Sequence, residues 1–227
     1  YEESLQKLKK TDSFYPEPYE AIMREVNWLQ EWAIVSKPFT EKKYLEYNDA
    51  VAKFYGGEMV CAGLLYSPVI GLLYPGDALK AYQEMYKLSI FDIGFARDLS
   101  SLATAMTAAA IAPKATKDDI VAVFRSIDPQ GYFKSRLVGR RAYSLYNDAR
   151  YMVTKAYQLS TEELNKITLP PQWMKQPDTL FYKRMMHTYN QLKDRNQDMP
   201  FHAAEIMIQL LTAMLFADFD FEKTLIF

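Results

Sequence analysis

The sequence predicts an all-α fold, a single multi-helix domain over residues 1–227, and three observations carry that expectation. Apolar residues recur every three to four positions along nearly the whole chain, as in Tyr19, Ile22, Val26, Leu29 and Ala33. Strict apolar–polar alternation, the mark of a half-buried strand, is scarce. Between the periodic runs stand Pro, Gly and short capping residues, the punctuation of helices.

Taken in order, the first helix follows Pro16 and Pro18, which suit a first turn, and its end is expected before Pro38. A second is expected from about Thr40 to Lys53, closed by Gly56 and Gly57, and a third from Asp77 to about Leu88. "RDLSSLATAMTAAAIA", Arg97 to Ala112, is almost all small residues. Such a run lets neighbouring backbones come close, which predicts a central buried helix ended by Pro113. Thr116 with Asp119 and Ser160 with Glu163 have the spacing of capping boxes, the first opening a helix to about Ser126. A longer helix is expected over about Gly139 to Gln158. "TLPPQWMKQPD" reads as a connector before helices at about Thr179 to Lys193 and Pro200 to Phe216. Asp218, Asp220 and Glu222 lack the glycine and ligand set of a calcium loop and are expected to start the last helix. No fixed-period repeat and no shift in composition marks a second domain.

Composition narrows the function. With 49% hydrophobic and 24% charged residues and a net charge of -1, the chain has material for a sizeable core and no broad basic field for nucleic acid. No apolar run reaches membrane-spanning length, and "YEESLQKLKK" lacks the order of a signal peptide; a cytoplasmic chain and a secreted one already cleaved both fit. The single Cys61 excludes an internal disulfide and a cysteine-rich zinc site. His187 and His202 are separated by a connector and read as polar edges of helices, so a metal here would need oxygen ligands.

"YPGD", Tyr74 to Asp77, raises the question of a phosphate loop. Such a loop needs several glycines with a Lys and a hydroxyl at fixed spacing, and only Gly76 lies between Leu72 and Lys87. Pro75, Gly76 and a capping Asp77 explain a corner instead. Two other groups carry chemistry. Glu58, Asp92 and Asp98 flank the small-residue helix and its approach, and gathered carboxylates serve as general acid, general base or Mg²⁺ ligand. The plainer alternatives are that Asp98 caps the helix near Leu99, Asp92 caps a turn before Gly94, and Glu58 is solvated in a loop. In "SRLVGRR", Arg136 and Arg140 are four residues apart and would share a helix face suited to a diphosphate or carboxylate. A solvated face paired with Asp128 or Asp148 is the alternative. The 17 Tyr and 13 Phe could line a sugar or adenine pocket, though in a helical domain most belong to core or interface.

The run from Gly56 to Ala112, with "GGEM", "SPVIGLLYPGD" and the small-residue helix, resembles the middle of the ADP-ribosylglycohydrolase family, and "PFHAAEIMIQLLTAMLFADFDFEKTLIF" resembles its late segment. The resemblance implies an all-helical hydrolase that uses a pair of Mg²⁺ ions to cleave the glycosidic bond of an ADP-ribose-like or related sugar substrate. It implies catalytic roles for Asp92, Asp98 and Glu58, and substrate contacts from Tyr55, Gly56, Gly57 and Met59; Arg136 and Arg140 join the substrate contacts on their chemistry alone. The sequence departs from the family pattern in three places. The Thr-Asp-Asp and Asp-x-Asp-Thr metal motifs are absent, which implies a portion incomplete at both ends or a member that has lost its metals. Tyr55 to Val60 stands where the family has Asn-Gly-x-x-Met-Arg, and Ser89 to Asp92 where it has Ser-x-x-Thr-His. The alternative is a catalytically inactive helical module for a sugar, a nucleotide or a protein partner.

Overall fold

The computed structural model describes residues 36–54, 61–89, 92–135, 139–195 and 202–227, which form helices and connecting turns with no sheet among them. The chain divides into two contact units, Tyr1–Glu58 and Met59–Phe227. Of the expected first helix, only its tail is described.

In the first unit, helical backbone at residues 36–40 runs through Pro38, where a stop was expected. Pro38 gives up a donor but keeps its carbonyl, which accepts from Lys43 N at 2.8 Å. The break comes later, at Lys42, whose φ of 60° is left-handed. Helix α1 then spans Tyr44–Phe54, four residues later than the sequence suggested.

The second unit begins with a 3₁₀ turn, Ala62–Leu65, and the short α2, Ser67–Gly71. Next come α3 (Ala78–Leu88), α4 (Phe95–Ala110) and α5 (Lys117–Ser126), then a 3₁₀ turn at Tyr132–Lys134. After these, α6 (Arg141–Tyr157), α7 (Thr161–Lys166), α8 (Pro171–Met174), α9 (Thr179–Lys193), α10 (Ala203–Phe216) and α11 (Phe221–Ile226) complete the unit. Both capping boxes close as expected, at Thr116 with Asp119 and at Ser160 with Glu163. Asp220 caps α11, and the proline-rich connector holds the single turn α8. No described helix is long and apolar enough to cross a membrane.

Helix α4 is the axis. Ala96, Leu99, Leu102, Ala105 and Ala108 have no exposed surface, and α2, α3 and α5 all pack along it. Its hydroxyls would be unmatched donors in such a place, but Ser101, Thr104 and Thr107 each donate to the carbonyl four residues back. The corner before α3 is a turn with Gly76 at φ 76°, whose N–H reaches across to Ala108 O at 2.8 Å, and Asp77 accepts from Lys80 N at 3.0 Å. "YPGD" therefore orients α3 against α4. Tyr82, Leu99, Phe124, Met152, Met207 and Leu211 form the main core, which α6 and α10 close from the other side. A smaller cluster of Ala156, Met185 and Phe216 packs with Phe181 and Phe227.

Close approach of α2 to α4 depends on glycine. A Cβ on Gly71 would stand 2.7 Å from Thr104 O and 2.6 Å from Thr107 Cβ, too near for either to remain in place. Gly71→Ala is expected to lower unfolding free energy by about 1–3 kcal/mol, as overpacking does. Chemical denaturation reads it, and an unchanged midpoint would mean that α2 lifts from α4 freely.

Candidate functional site

Of the residues singled out in the sequence, Asp92, Asp98 and Arg140 are described; Tyr55, Gly56, Gly57, Glu58, Met59 and Arg136 lie outside the described residues. Asp98 is in the first turn of α4, but it does not cap it. Its side chain, 1% exposed, turns sideways into the fold. Arg140 meets it in a two-pronged pair, Nε to Oδ2 at 2.9 Å and Nη2 to Oδ1 at 3.0 Å, and the Tyr82 hydroxyl donates to Oδ1 at 2.6 Å. Three donors thus converge on one carboxylate.

The remaining guanidinium nitrogen, Nη1, lies 2.9 Å from Asp128 Oδ1 but off the hydrogen-bonding direction, so that contact is ionic in character. Asp128 has a second task. Its two oxygens accept the N–H groups of Tyr132 and Phe133 at 2.9 and 3.0 Å, which winds residues 128–133 into a turn. That turn sets both rings over Arg140, with guanidinium-to-ring distances of 5.9 Å for Tyr132 and 5.4 Å for Phe133. The Tyr132 hydroxyl then meets that of Tyr86 at 3.1 Å, and Arg97 covers the Tyr86 ring at 4.6 Å. Arg140 occupies the N-cap of α6 with its side chain directed at Asp98, and Gly139 before it has a left-handed φ of 65°, so the helix starts at Arg141.

Asp92 belongs to a different cluster. Its oxygens accept Gly63 N–H at 3.0 and 3.1 Å and Ser100 Oγ at 2.5 Å. A helix turns about 200° over two residues, so Ser100 and Asp98 point to opposite sides of α4, and the two carboxylates do not converge. A Cβ on Gly63 would overlap Asp92 Oδ2 and stand 2.6 Å from Ser100 Oγ, so glycine is needed there for contact.

Burial raises both carboxyls. It pushes Asp98 up to about 6 against the pull of Arg140 and Tyr82, and it raises Asp92 against Ser100, Gly63 and Arg97. At neutral pH Asp98 is ionised and its pair with Arg140 stands. Tyr82 is driven well above its usual range by burial and by the Asp98 charge, which fixes it as a donor. Buried Cys61 is pushed up as well, away from nucleophilic thiolate. His187 pairs with Gln191 at 3.1 Å, and His202 lies edge-on to Phe95.

Magnesium, which the family resemblance implies, needs oxygen ligands left free to face the ion. Asp92 and Asp98 are buried in separate clusters and accept from N–H and O–H donors, and among the described residues no three His, Cys, Asp or Glu side chains gather as a metal requires. The described residues do not fit a magnesium pair. Compared with known protein families, with curated proteins and with solved structures, the chain matches none.

Tyr82, Ser100, Tyr132 and Gly63 were not singled out from the sequence as partners of these groups, whereas Asp128 was offered there as a partner for the arginines and does meet Arg140. Two signals were there to be read. Ala78, Ala81, Tyr82, Met85 and Tyr86 form one helical stripe, and a tyrosine hydroxyl in a buried stripe needs a partner. Asp128-Pro-Gln-Gly is a turn signature that uses up the aspartate locally.

The pH dependence of stability follows from Asp98. Its folded value, about 6, exceeds the ordinary carboxylate value, so the native state holds the extra proton between the two. The contribution is full below the ordinary value and is lost as pH rises through about 6; Asp92 acts in the same direction. The unfolding free energy of wild type minus that of Asp98→Asn is expected to fall by up to roughly 3 kcal/mol between acid and neutral pH. Urea titrations of both proteins at pH 4.5 and 7.5 measure it, and a difference that grows with pH would contradict it.

Proposed function

We propose that this chain is an ADP-ribosylglycohydrolase-like hydrolase scaffold, acting on an ADP-ribosyl or related N- or O-glycosidic bond, in which Asp92 and Asp98 position the site and do not themselves exchange protons. One observation carries the reading. The resemblance puts two stretches at the substrate pocket, Tyr55 to Met59 and Asp92 to Asp98, and Asp92 ties the second to Gly63, four residues beyond the first. The all-helical architecture agrees with it.

In such a hydrolysis the oxygen of water bonds to the anomeric carbon, the bond to the leaving group breaks, and the proton passes to that group. General acid or base work requires a carboxylate with an open lone pair facing the substrate. Asp98, held by three donors and 1% exposed, turns none to solvent in this conformation. Its part is to fix the N-terminal turn of α4, and through Arg140 the start of α6, relative to α3.

A second reading, a catalytically inactive binding module, draws on a different observation. Leu65, Val69 and Leu73 stand 83%, 62% and 65% exposed on the outer side of the 3₁₀ turn, α2 and the turn that follows, opposite the buried Ser67 and Gly71. Apolar side chains so displayed suit a partner surface.

The test is release of ADP-ribose from an ADP-ribosylated peptide by the protein and by Asp92→Asn, Asp98→Asn and Asp77→Asn, with melting temperatures measured in parallel. Asp77→Asn, a capping swap, is expected to keep full activity. Both other variants are expected to lose activity roughly in step with loss of melting temperature, as positioning residues do. Loss of activity at unchanged melting temperature would return them to direct chemistry. ADP-ribose binding by calorimetry with no release by the wild type would favour the binding module.

A further inference from the structure

We propose that residues 128–134 form a strap over the Asp98–Tyr82 site, bolted by the Arg140 side chain and able to lift as a unit while the helices stay folded. The observations are these. The strap carries the single 3₁₀ turn Tyr132–Lys134, and that turn packs lengthwise along no helix. Its apolar burial is slight, since Phe133 is 44% exposed and Pro129, Gln130 and Lys134 are exposed.

What holds it down is concentrated on three contacts. One is Arg140, which takes Asp128 as an ionic partner and the Tyr132 and Phe133 rings as cover. The others are the Tyr132–Tyr86 hydroxyl pair and the Phe133 ring, edge-on to Tyr143 of α6 with centroids 5.4 Å apart. Gly131, at φ 71° with no atom within 4 Å of where a Cβ would stand, leaves the bend of the strap with nothing packed over it. The helices below are held differently, by Leu99, Leu102 and Phe124 with no exposed surface. Segments with few buried contacts open locally at far lower free energy than a packed core.

Lifting has a chemical consequence. Arg140 is shared between an acid of the strap, Asp128, and an acid of α4, Asp98. With the strap away, one side of the guanidinium and the Tyr82 and Asp98 groups beneath it meet solvent. The charged and titratable groups that face Arg140 are Asp98 from α4, Tyr82 and Tyr86 from α3, and Asp128 and Tyr132 from the strap, with Arg97 beyond Tyr86. The carboxylate that is closed in the folded resting state thus becomes reachable by a route that needs no unfolding. The inference is independent of the hydrolytic reading, because its measurement involves no substrate.

Hydrogen exchange read by mass spectrometry on the whole chain tests it. In the wild type the amides of Tyr132 and Phe133 are expected to exchange at least about 100-fold faster than those of Leu99 to Ala105 in α4. Arg140→Lys, which keeps the charge but loses the planar fork, is expected to speed strap exchange about tenfold or more while α9 and α10 are unchanged. Tyr132→Phe should act in the same direction more weakly, and nitration of Tyr82 should rise in both variants. If Arg140→Lys unfolds the chain, Tyr132→Phe and Phe133→Ala decide the matter alone. Strap amides that exchange in step with α4 in the wild type would overturn the proposal, as would a strap that no variant loosens.

Discussion

A guanidinium with 1% of its side chain exposed has to be neutralised where it stands, and the middle of this fold is arranged around that demand. Removing one partner from such a pair leaves a buried charge with nothing opposite, a penalty of about 3–5 kcal/mol, whereas the intact pair adds little over an apolar filling. The value of the pair is therefore in what it forbids. Arg140 meets Asp98 through two parallel hydrogen bonds, a geometry that admits one approach direction. Because Asp98 is anchored on α4 and Arg140 starts α6, the angle between those helices is set by a fork, and Tyr82 adds α3 to the same point.

Around that point the packing is permissive in chemistry and strict in size. Ala96, Ala105 and Ala108 bring α4 within reach of its neighbours, and Gly71 lets α2 lie on Thr104 and Thr107. Gly63 does the same for the turn held by Asp92. Small residues and glycines thus supply closeness, and the carboxylates supply direction. Neither suffices alone: close packing of smooth helices tolerates sliding, and a charge pair held at a distance would admit water.

Most of this architecture is legible in local sequence. Capping boxes at Thr116 and Ser160, the Asp77 cap and the bounds of α3, α5 and α9 all rest on interactions within four residues, which is the range that pattern reading covers. What escaped it is long-range. Asp98 and Arg140 are 42 residues apart, and Asp92 and Gly63 are 29, so nothing in either neighbourhood announces the other. Asp98 looked like a cap because short acids favour first turns; burial overrode that preference, since an arginine waited on the inner side. Likewise α6 began two residues late because Gly139 takes a left-handed φ of 65°. Arg140 was noticed as a charge that could hold a phosphate or lie on a solvated face paired with Asp128 or Asp148. The Asp128 pair is there, but buried, and the second acid is Asp98.

The same residues can look catalytic and structural because both roles ask for a buried carboxylate with a raised proton affinity. The discriminating feature is enclosure. A carboxylate that works on a substrate keeps at least one oxygen turned to an open space, as protons or cations must arrive there. Asp92 accepts from one amide and one hydroxyl, and Asp98 from a guanidinium and a phenol; both are closed off from solvent by the protein. Asp98 differs from Asp92 in one respect. Its cover is a strap and a bolt, with Phe133 half in solvent, whereas Asp92 is closed in by Gly63 and Ser100, the latter part of the packed α4 itself. If either acid ever meets a ligand, Asp98 is the one whose enclosure can be taken apart without dismantling the helix that carries it.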